Sequence, residues 1–191
     1  MKKILLLIAL FAFNAKHQND CPVAGNSNNP DLRQLDILKN RNAPGTTIDN
    51  SVTLASILAP GNDANRFNSN QYVSVTGYVI KVQPGEKETC ECGLPNPQDL
   101  DIHIELAANP TDRGTQAMVV EVNRYTKANH PEFTVGKLQS LIGKKITVTG
   151  WMMFDKPHWS NAVTTNPGGA RLWRYTAWEV HPVLQITPQQ M

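Results

Sequence analysis

Residues 118–154 have the sequence MVVEVNRYTKANHPEFTVGKLQSLIGKKITVTGWMMF, which predicts a strand, a short helix and a second strand. Apolar residues alternate along the first strand, 118–122, with the period of a half-buried strand. The helix is predicted over 135–142, and the second strand over 145–154. Gly150 lies in the middle of that strand, where an internal glycine often marks a bulge or a sharp bend.

Two further strands are predicted before this segment, over 71–82 and 101–106, and one after it, over 173–186. Gly77 gives the first of them a mid-strand glycine as well. Tightly coiled sheets need such bends, so the pattern favours a small barrel. We therefore predict a mainly β protein with a five-stranded OB-type Greek-key barrel and one short helix between strands three and four. An open β-sandwich is the alternative, and it would not need a helix in that position.

The N-terminal part of the chain indicates export. Lys2 and Lys3 precede an apolar run of 10 residues, 4–13, shorter than the roughly 20 residues of a membrane-spanning helix. This pattern is typical of a signal peptide over 1–15, with a buried N-terminal helix as the alternative. We expect a periplasmic or extracellular protein without a transmembrane span in its mature chain.

Two segments are predicted to follow the signal. Residues 16–50 are rich in Asn, Asp, Pro and Gly, and they predict a flexible tether with one short helix possible inside it. Residues 51–191 are predicted to form the barrel domain, with a short leading helix capped by Ser51. The three cysteines, Cys21, Cys90 and Cys92, leave the disulfide pairing open.

The net charge gives no general reason to bind nucleic acid. The whole chain carries a formal charge of +2, and loss of the predicted signal would remove two lysines and leave the rest formally neutral. Bases predominate between residues 121 and 174 and acids between 83 and 105, so one end of the barrel is expected to be basic and another acidic.

The fifth predicted strand carries motifs that resemble a group of exported bacterial OB-fold proteins. The motifs are Asn166-Pro167-Gly168-Gly169-Ala170-Arg171, Trp173-Arg174 and Trp178-Glu179-Val180-His181-Pro182, and 101–106, Cys90-Glu91-Cys92, Phe154-Asp155 and His158 look similar to the same group. The likeness covers roughly 51–188. Members are sometimes labelled nucleic-acid-binding lipoproteins, so the resemblance implies an OB fold and nucleic-acid binding, the latter by fold analogy. Cys21 departs from the lipoprotein pattern, because Asn19 and Asp20 precede it.

The loop between strands four and five is the first candidate ligand site. OB barrels bind ligands on the face of strands two and three and on the loops joining strands one to two and four to five. Aromatic residues and arginines are interleaved here, as in sites that bind single-stranded nucleic acid. The candidate ligand-binding residues are His158, Trp159, Arg171, Trp173, Arg174 and Tyr175. An alternative is that Trp159 and Trp173 fill the mouth of the barrel as core residues.

A polar face on strands two, three and five is the second candidate site. If these strands are neighbours, their phase places five side chains together: His103, Glu105, Glu121, Glu179 and His181. Imidazoles and carboxylates can bind a divalent metal or transfer protons. The chain has no metal-ligand spacing such as His-Glu-x-x-His, so we predict no cofactor and expect a solvated polar face.

These observations predict an exported OB-fold binding module more strongly than an enzyme. Its expected ligand is single-stranded nucleic acid, an oligosaccharide or another envelope protein. No catalytic residue and no metal ligand is assigned. A metal-dependent hydrolase built on the barrel and a structural or protein-interaction module of the cell envelope are the alternatives.

Overall fold

The computed structural model describes residues 21–61, 63 and 65–189. It contains five strands, β1 Tyr72–Pro84, β2 Ile102–Ala107, β3 Ala117–Val122, β4 Lys145–Phe154 and β5 Trp178–Pro188. Its α-helices are α1 Pro30–Lys39, α2 Leu54–Ile57, α3 Arg124–Asn129 and α4 Val135–Gln139. In this part of the chain, no helix has the length and apolar character needed to cross a bilayer. The signal predicted over 1–15 lies outside the described residues.

The strands form a closed barrel in the order β1-β2-β3-β5-β4. Every neighbouring pair is antiparallel except β3 and β5, which run parallel. Aliphatic side chains from all five strands fill the interior and are at most 1% exposed, among them Val75, Ile104, Val120, Val148 and Val180. Because successive side chains of a strand point to opposite faces, this inward set fixes which residues β2, β3 and β5 present outside the barrel.

Strand β4 bends at Gly150, where its register against β5 shifts. A Cβ atom at this position would lie 2.2 Å from the carbonyl oxygen of Pro182 and 2.7 Å from Cγ1 of Val180. The close approach of β5 therefore requires glycine here, as the sequence pattern indicated.

Gly150→Ala should lower the free energy of unfolding by about 1–3 kcal/mol, because the added methyl group overpacks the β4–β5 contact. Gly136→Ala is a matched control, since a Cβ atom there would meet no atom within 4 Å. Gly136 lies in helix α4, so alanine should raise stability by up to about 1 kcal/mol. Urea denaturation measures the free energy of unfolding of both variants. A loss of stability of similar size in both would contradict this account of Gly150.

Two helices, not one, connect β3 to β4. The helix expected over 135–142 spans Val135–Gln139, and the additional helix α3 precedes it. Asn123 caps α3, because its side chain accepts a hydrogen bond from the backbone N–H of Thr126. The prediction of a single helix overlooked this cap.

Strand β5 begins later than expected. The predicted strand started at Trp173, whereas β5 starts at Trp178. The preceding residues are held by Asp63 instead, whose carboxylate accepts hydrogen bonds from the Thr176 hydroxyl and the Ala177 backbone N–H. A side-chain partner more than 100 residues away replaces the strand pairing that the alternation suggested.

The segment from Cys21 to Asn50 packs against the barrel, although it was expected to belong to a flexible tether. A disulfide joins Cys21 to Cys92, and Cys90 is a buried free thiol. Asn40 donates a hydrogen bond to the Cys90 carbonyl at 2.9 Å. Pro30–Lys39 therefore forms a helix that is fixed to the β1–β2 loop.

Candidate functional site

The structure brings together the five residues predicted to share a polar face. They lie on the outside of β2, β3 and β5, and His103 pairs in register with Glu121. All five are buried, with exposed fractions between 0 and 9%: His103, Glu105, Glu121, Glu179 and His181. Strand phase thus predicted their convergence correctly, but the expected solvated face is covered.

The covering element is the connection between β4 and β5. It contains a short 3-10 helix, Lys156–Asn161, and then returns across the outside of the sheet. The backbone N–H of Tyr175 donates to the carbonyl of Ala117 at 2.9 Å, which fixes this connection to the first residue of β3. Burial of the polar face follows from this loop, whose path could not be read from strand periodicity.

Arg174 lies under this loop and is only 1% exposed. Its Nη1 atom lies 2.9 Å from Oδ2 of Asp155 and 2.7 Å from Oε1 of Glu179. Burial alone would lower the pKa of Arg174, but the charges of Glu179 and Asp155 raise it above its usual value. The guanidinium was expected to hold a ligand phosphate, yet two protein carboxylates already neutralise its charge.

Asp155 is the other end of this ion pair. Burial would raise the pKa of its carboxyl, but a hydrogen bond from His158 and the charges of Lys39 and Arg174 hold the pKa below its usual range. The His158 ring nitrogen Nδ1 lies 2.6 Å from Asp155 Oδ2. Lys39 comes from α1, so the segment expected as a tether supplies charge to the site.

His181 is completely buried between carboxylates. Its Nε2 atom lies 3.0 Å from Asp101 Oδ2, and its Nδ1 atom lies 3.1 Å from Glu121 Oε2 and 3.4 Å from Glu179 Oε2. Burial would lower the pKa of His181, but the hydrogen bonds to these carboxylates raise it well above its usual value. The ring is therefore an imidazolium at neutral pH.

Asp101, Glu121 and His181 also offer atoms within 4.8 Å of one another, close enough to share a metal ion. The two carboxylates, however, contact different nitrogens of the imidazole. An ion bound to either nitrogen would have one carboxylate on the far side of the ring. This donor arrangement fits a protonated histidine held by two carboxylates better than it fits a metal centre.

Glu121 connects the two histidines. Its Oε1 atom lies 3.2 Å from Nδ1 of His103, while Oε2 faces His181. Burial would raise the pKa of Glu121, but the hydrogen bonds from His103 and His181 hold it well below its usual value. Because an ionised carboxylate only accepts hydrogen bonds, Nδ1 of His103 carries a proton.

A cavity of about 240 Å³ opens onto this cluster. Its wall combines residues of the β1–β2 loop, the outer sheet face and the β4–β5 loop: Lys81, Gln83, Gly85, Glu86, Glu88, His103, Glu121, His158, Trp173, Arg174 and Glu179. Two of its buried nitrogens, Nε2 of His103 and Nη2 of Arg174, have no hydrogen-bond partner within the described chain. Buried polar atoms of this kind indicate a place for a polar ligand or water.

The six predicted ligand-binding residues divide between this cavity and the surface. His158, Trp173 and Arg174 line the cavity, whereas Trp159 is 57% exposed. Arg171 is also exposed, and Tyr175 is half-buried. Trp159 therefore does not plug the barrel as a core residue, and His158, Trp173 and Arg174 are the members of the predicted set that reach the charged site.

A larger groove of about 510 Å³ lies between α1 and residues 154–157. Leu32, Leu35 and Leu38 of α1 give it an apolar wall. It contains none of the histidines and carboxylates that converge on β2, β3 and β5. The smaller polar cavity is therefore the candidate functional site.

Sequence reasoning missed Glu91, which lies between the two cysteines of the β1–β2 loop. It is 1% exposed, and its carboxyl contacts the backbone N–H of Asp101. Burial, together with the charge of Asp101, raises the pKa of Glu91 to about 9. Its side chain thus holds a proton at neutral pH and contacts the backbone of Asp101, which pairs with His181.

The raised pKa of Glu91 predicts how the stability of the fold changes with pH. The folded state holds the Glu91 proton more tightly than the unfolded chain, so its contribution to stability is complete below about pH 4.5 and is lost as pH rises towards 9. Glu91→Gln should remove this loss and flatten the stability profile across that window. Glu86→Gln, on the exposed part of the same loop, is the control. Denaturation midpoints at several pH values measure the effect, and parallel profiles for wild type and Glu91→Gln would contradict it.

A scan against models of protein families and a search of curated proteins each found no match. The chemistry of the cavity is therefore the basis for a functional assignment.

Proposed function

We propose that this protein is an exported OB-type binding module whose cavity takes one unit of an oligosaccharide. The observation that carries the proposal is the buried polar cavity on β2, β3 and β5, with unsatisfied nitrogens on His103 and Arg174. Neutral sugars suit such a wall, because each hydroxyl group can both donate and accept hydrogen bonds.

The position of the cavity supports the OB interpretation. The closed five-stranded barrel supports this interpretation, and ligands of OB folds meet the β2–β3 face and the loops after β1 and β4. The cavity lies on that face, and both loops contribute to its wall.

The charges favour an uncharged ligand over nucleic acid. Two cationic side chains, Lys81 and Arg174, line the cavity together with four carboxylates, Glu86, Glu88, Glu121 and Glu179. Lys81 also pairs with Glu105 at 3.3 Å, and Arg174 is neutralised by its own carboxylate partners. Both of these cations are thus already paired with carboxylates and offer little to a phosphodiester backbone, whereas sugar hydroxyls can donate to the carboxylates.

The size of the cavity sets the extent of the ligand inside it. About 240 Å³ is below the roughly 300–1,000 Å³ typical of sites for drug-sized ligands. The cavity therefore takes a single sugar unit, and the rest of the chain lies across its mouth. Trp173 supplies an apolar wall for the sugar ring, beside His103 at a ring-centroid distance of 5.5 Å.

Calorimetric titration with cellotetraose, maltotetraose and chitotetraose tests the proposal. We expect one of these oligosaccharides to bind, and Trp173→Ala to weaken its affinity about tenfold or more, as loss of a stacking aromatic does. Trp159→Ala, which changes an exposed indole outside the cavity, should leave affinity unchanged. Tight binding of single-stranded DNA at low salt with no binding of any sugar would overturn the assignment.

A further inference from the structure

We propose that the cavity also hydrolyses an acyl ester carried by its ligand, with His103 as the general base and Arg174 as the group that stabilises the oxyanion. The inference rests on the proposed function only in placing a polyhydroxylated ligand in this cavity. It adds to that function a substrate class, an O-acylated sugar, and a reaction, the hydrolysis of its ester.

His103 has the geometry of a general base. Its Nδ1 atom lies 3.2 Å from the Glu121 carboxylate, which fixes the proton on that nitrogen. The opposite nitrogen, Nε2, lies 3.9 Å from Glu105 and has no hydrogen-bond partner among the described residues. His103 lines the cavity, so a lone pair on Nε2 is available to a water molecule there.

Glu121 is a positioning residue in this scheme, because it acts through His103 and not on the ligand. Its second oxygen is held by His181, which is in turn paired with Asp101. The His181 imidazolium thus fixes the carboxylate, and the carboxylate fixes the tautomer and ring orientation of His103. Hydrolytic enzymes use the same arrangement, in which a carboxylate orients a histidine that acts as the general base.

Arg174 supplies the second group that ester hydrolysis requires, a hydrogen-bond donor that is already in position before the reaction begins. Its Nε atom donates to the Thr176 carbonyl at 2.7 Å, and its Nη1 atom contacts Asp155 and Glu179. These contacts hold the guanidinium rigidly and leave Nη2 without a partner in the described part of the chain. A fixed, buried donor stabilises a developing oxyanion strongly because it need not reorganise.

The reaction consumes one water molecule. Nε2 of His103 takes a proton from water as the water oxygen bonds to the acyl carbon, and the carbonyl oxygen becomes an oxyanion beside Arg174. The ester C–O bond then breaks, and the proton passes from His103 to the leaving alkoxide. The products are a carboxylic acid and the free hydroxyl of the sugar, and the histidine returns to its starting state.

The titratable groups around His103 come from every element packed against it. They are Lys81 of β1, Glu105 of β2, Glu121 of β3, Glu179 and His181 of β5, and His158 and Arg174 of the covering loop. Of the two carboxylates paired with the His103 ring, Glu121 is the closer, at 3.2 Å against 3.9 Å for Glu105.

Hydrolysis of p-nitrophenyl acetate by the full chain tests the inference, since this ester needs no knowledge of the natural acyl sugar. We expect His103→Gln to lower kcat/KM on the order of 10²-fold, the usual contribution of a general base. Glu121→Gln should lower kcat with little change in KM.

His130→Gln is the matched control, because His130 pairs with Glu132 on the surface, away from the cavity. It should hydrolyse the ester at the wild-type rate. Thermal melting of each variant establishes that it is folded. Equal rates for wild type and folded His103→Gln, whether both are high or both are absent, would overturn the inference. Sugar binding measured on the wild type reports separately on the proposed function.

Discussion

Replacing Arg174 with methionine should lower the free energy of unfolding by about 3–5 kcal/mol, the usual cost of removing one partner from a buried ion pair. The change leaves Asp155 and Glu179, both at most 2% exposed, without their shared cation. Their carboxyl groups would then hold protons more tightly in the folded state than in the unfolded chain. The variant should therefore gain more stability than the wild type as pH falls.

Arg171→Met is the matched control for this experiment. Arg171 lies three residues earlier on the same loop but is exposed, so its replacement should change stability by no more than about 0.5 kcal/mol. Urea denaturation at pH 7 and pH 5 compares the two variants. A similar small effect for both arginines would contradict the buried network described here.

Removing the disulfide should have the second large effect. Cys21 and Cys92 are 71 residues apart, and a loop of that length is expected to contribute about 4 kcal/mol by restricting the unfolded chain. The double variant Cys21→Ser, Cys92→Ser should lose stability of this order. Part of the loss comes from α1, which the bond holds against the β1–β2 loop.

Reducing agent provides the control for the disulfide. Dithiothreitol should lower the stability of the wild type to that of the double variant and leave the double variant unchanged. Cys90→Ala, which alters the buried free thiol, should keep its sensitivity to reductant. A wild type that is indifferent to reductant, or a Cys90→Ala variant that has become indifferent, would contradict the Cys21–Cys92 pairing.

The strands were the most predictable part of this structure. The prediction for β4 matches its observed bounds, Lys145–Phe154, because alternation and a central glycine are local properties of the sequence. The convergence of His103, Glu121 and His181 was predictable for a similar reason. Once β2, β3 and β5 are neighbours, side-chain phase determines which residues share a face.

Contacts between distant parts of the chain were not predictable. Asp63 delays the start of β5 by accepting hydrogen bonds from Thr176 and Ala177, and no local sequence pattern predicts this distant partner. The pairing of Cys21 with Cys92 likewise could not be deduced from three cysteines. The burial of Arg174 depends on the return path of the β4–β5 loop, so its ion pairs with Asp155 and Glu179 could not be predicted from the sequence.

The tryptophans provide the most direct test of the cavity as the ligand site. The chain has four, and each gives a separate indole N–H signal in a ¹H–¹⁵N spectrum. During titration with the oligosaccharide that binds, the signal of Trp173 should shift while that of the exposed Trp159 remains in place. A shift of Trp159 with an unmoved Trp173 would place the ligand on the outer loop and contradict the account.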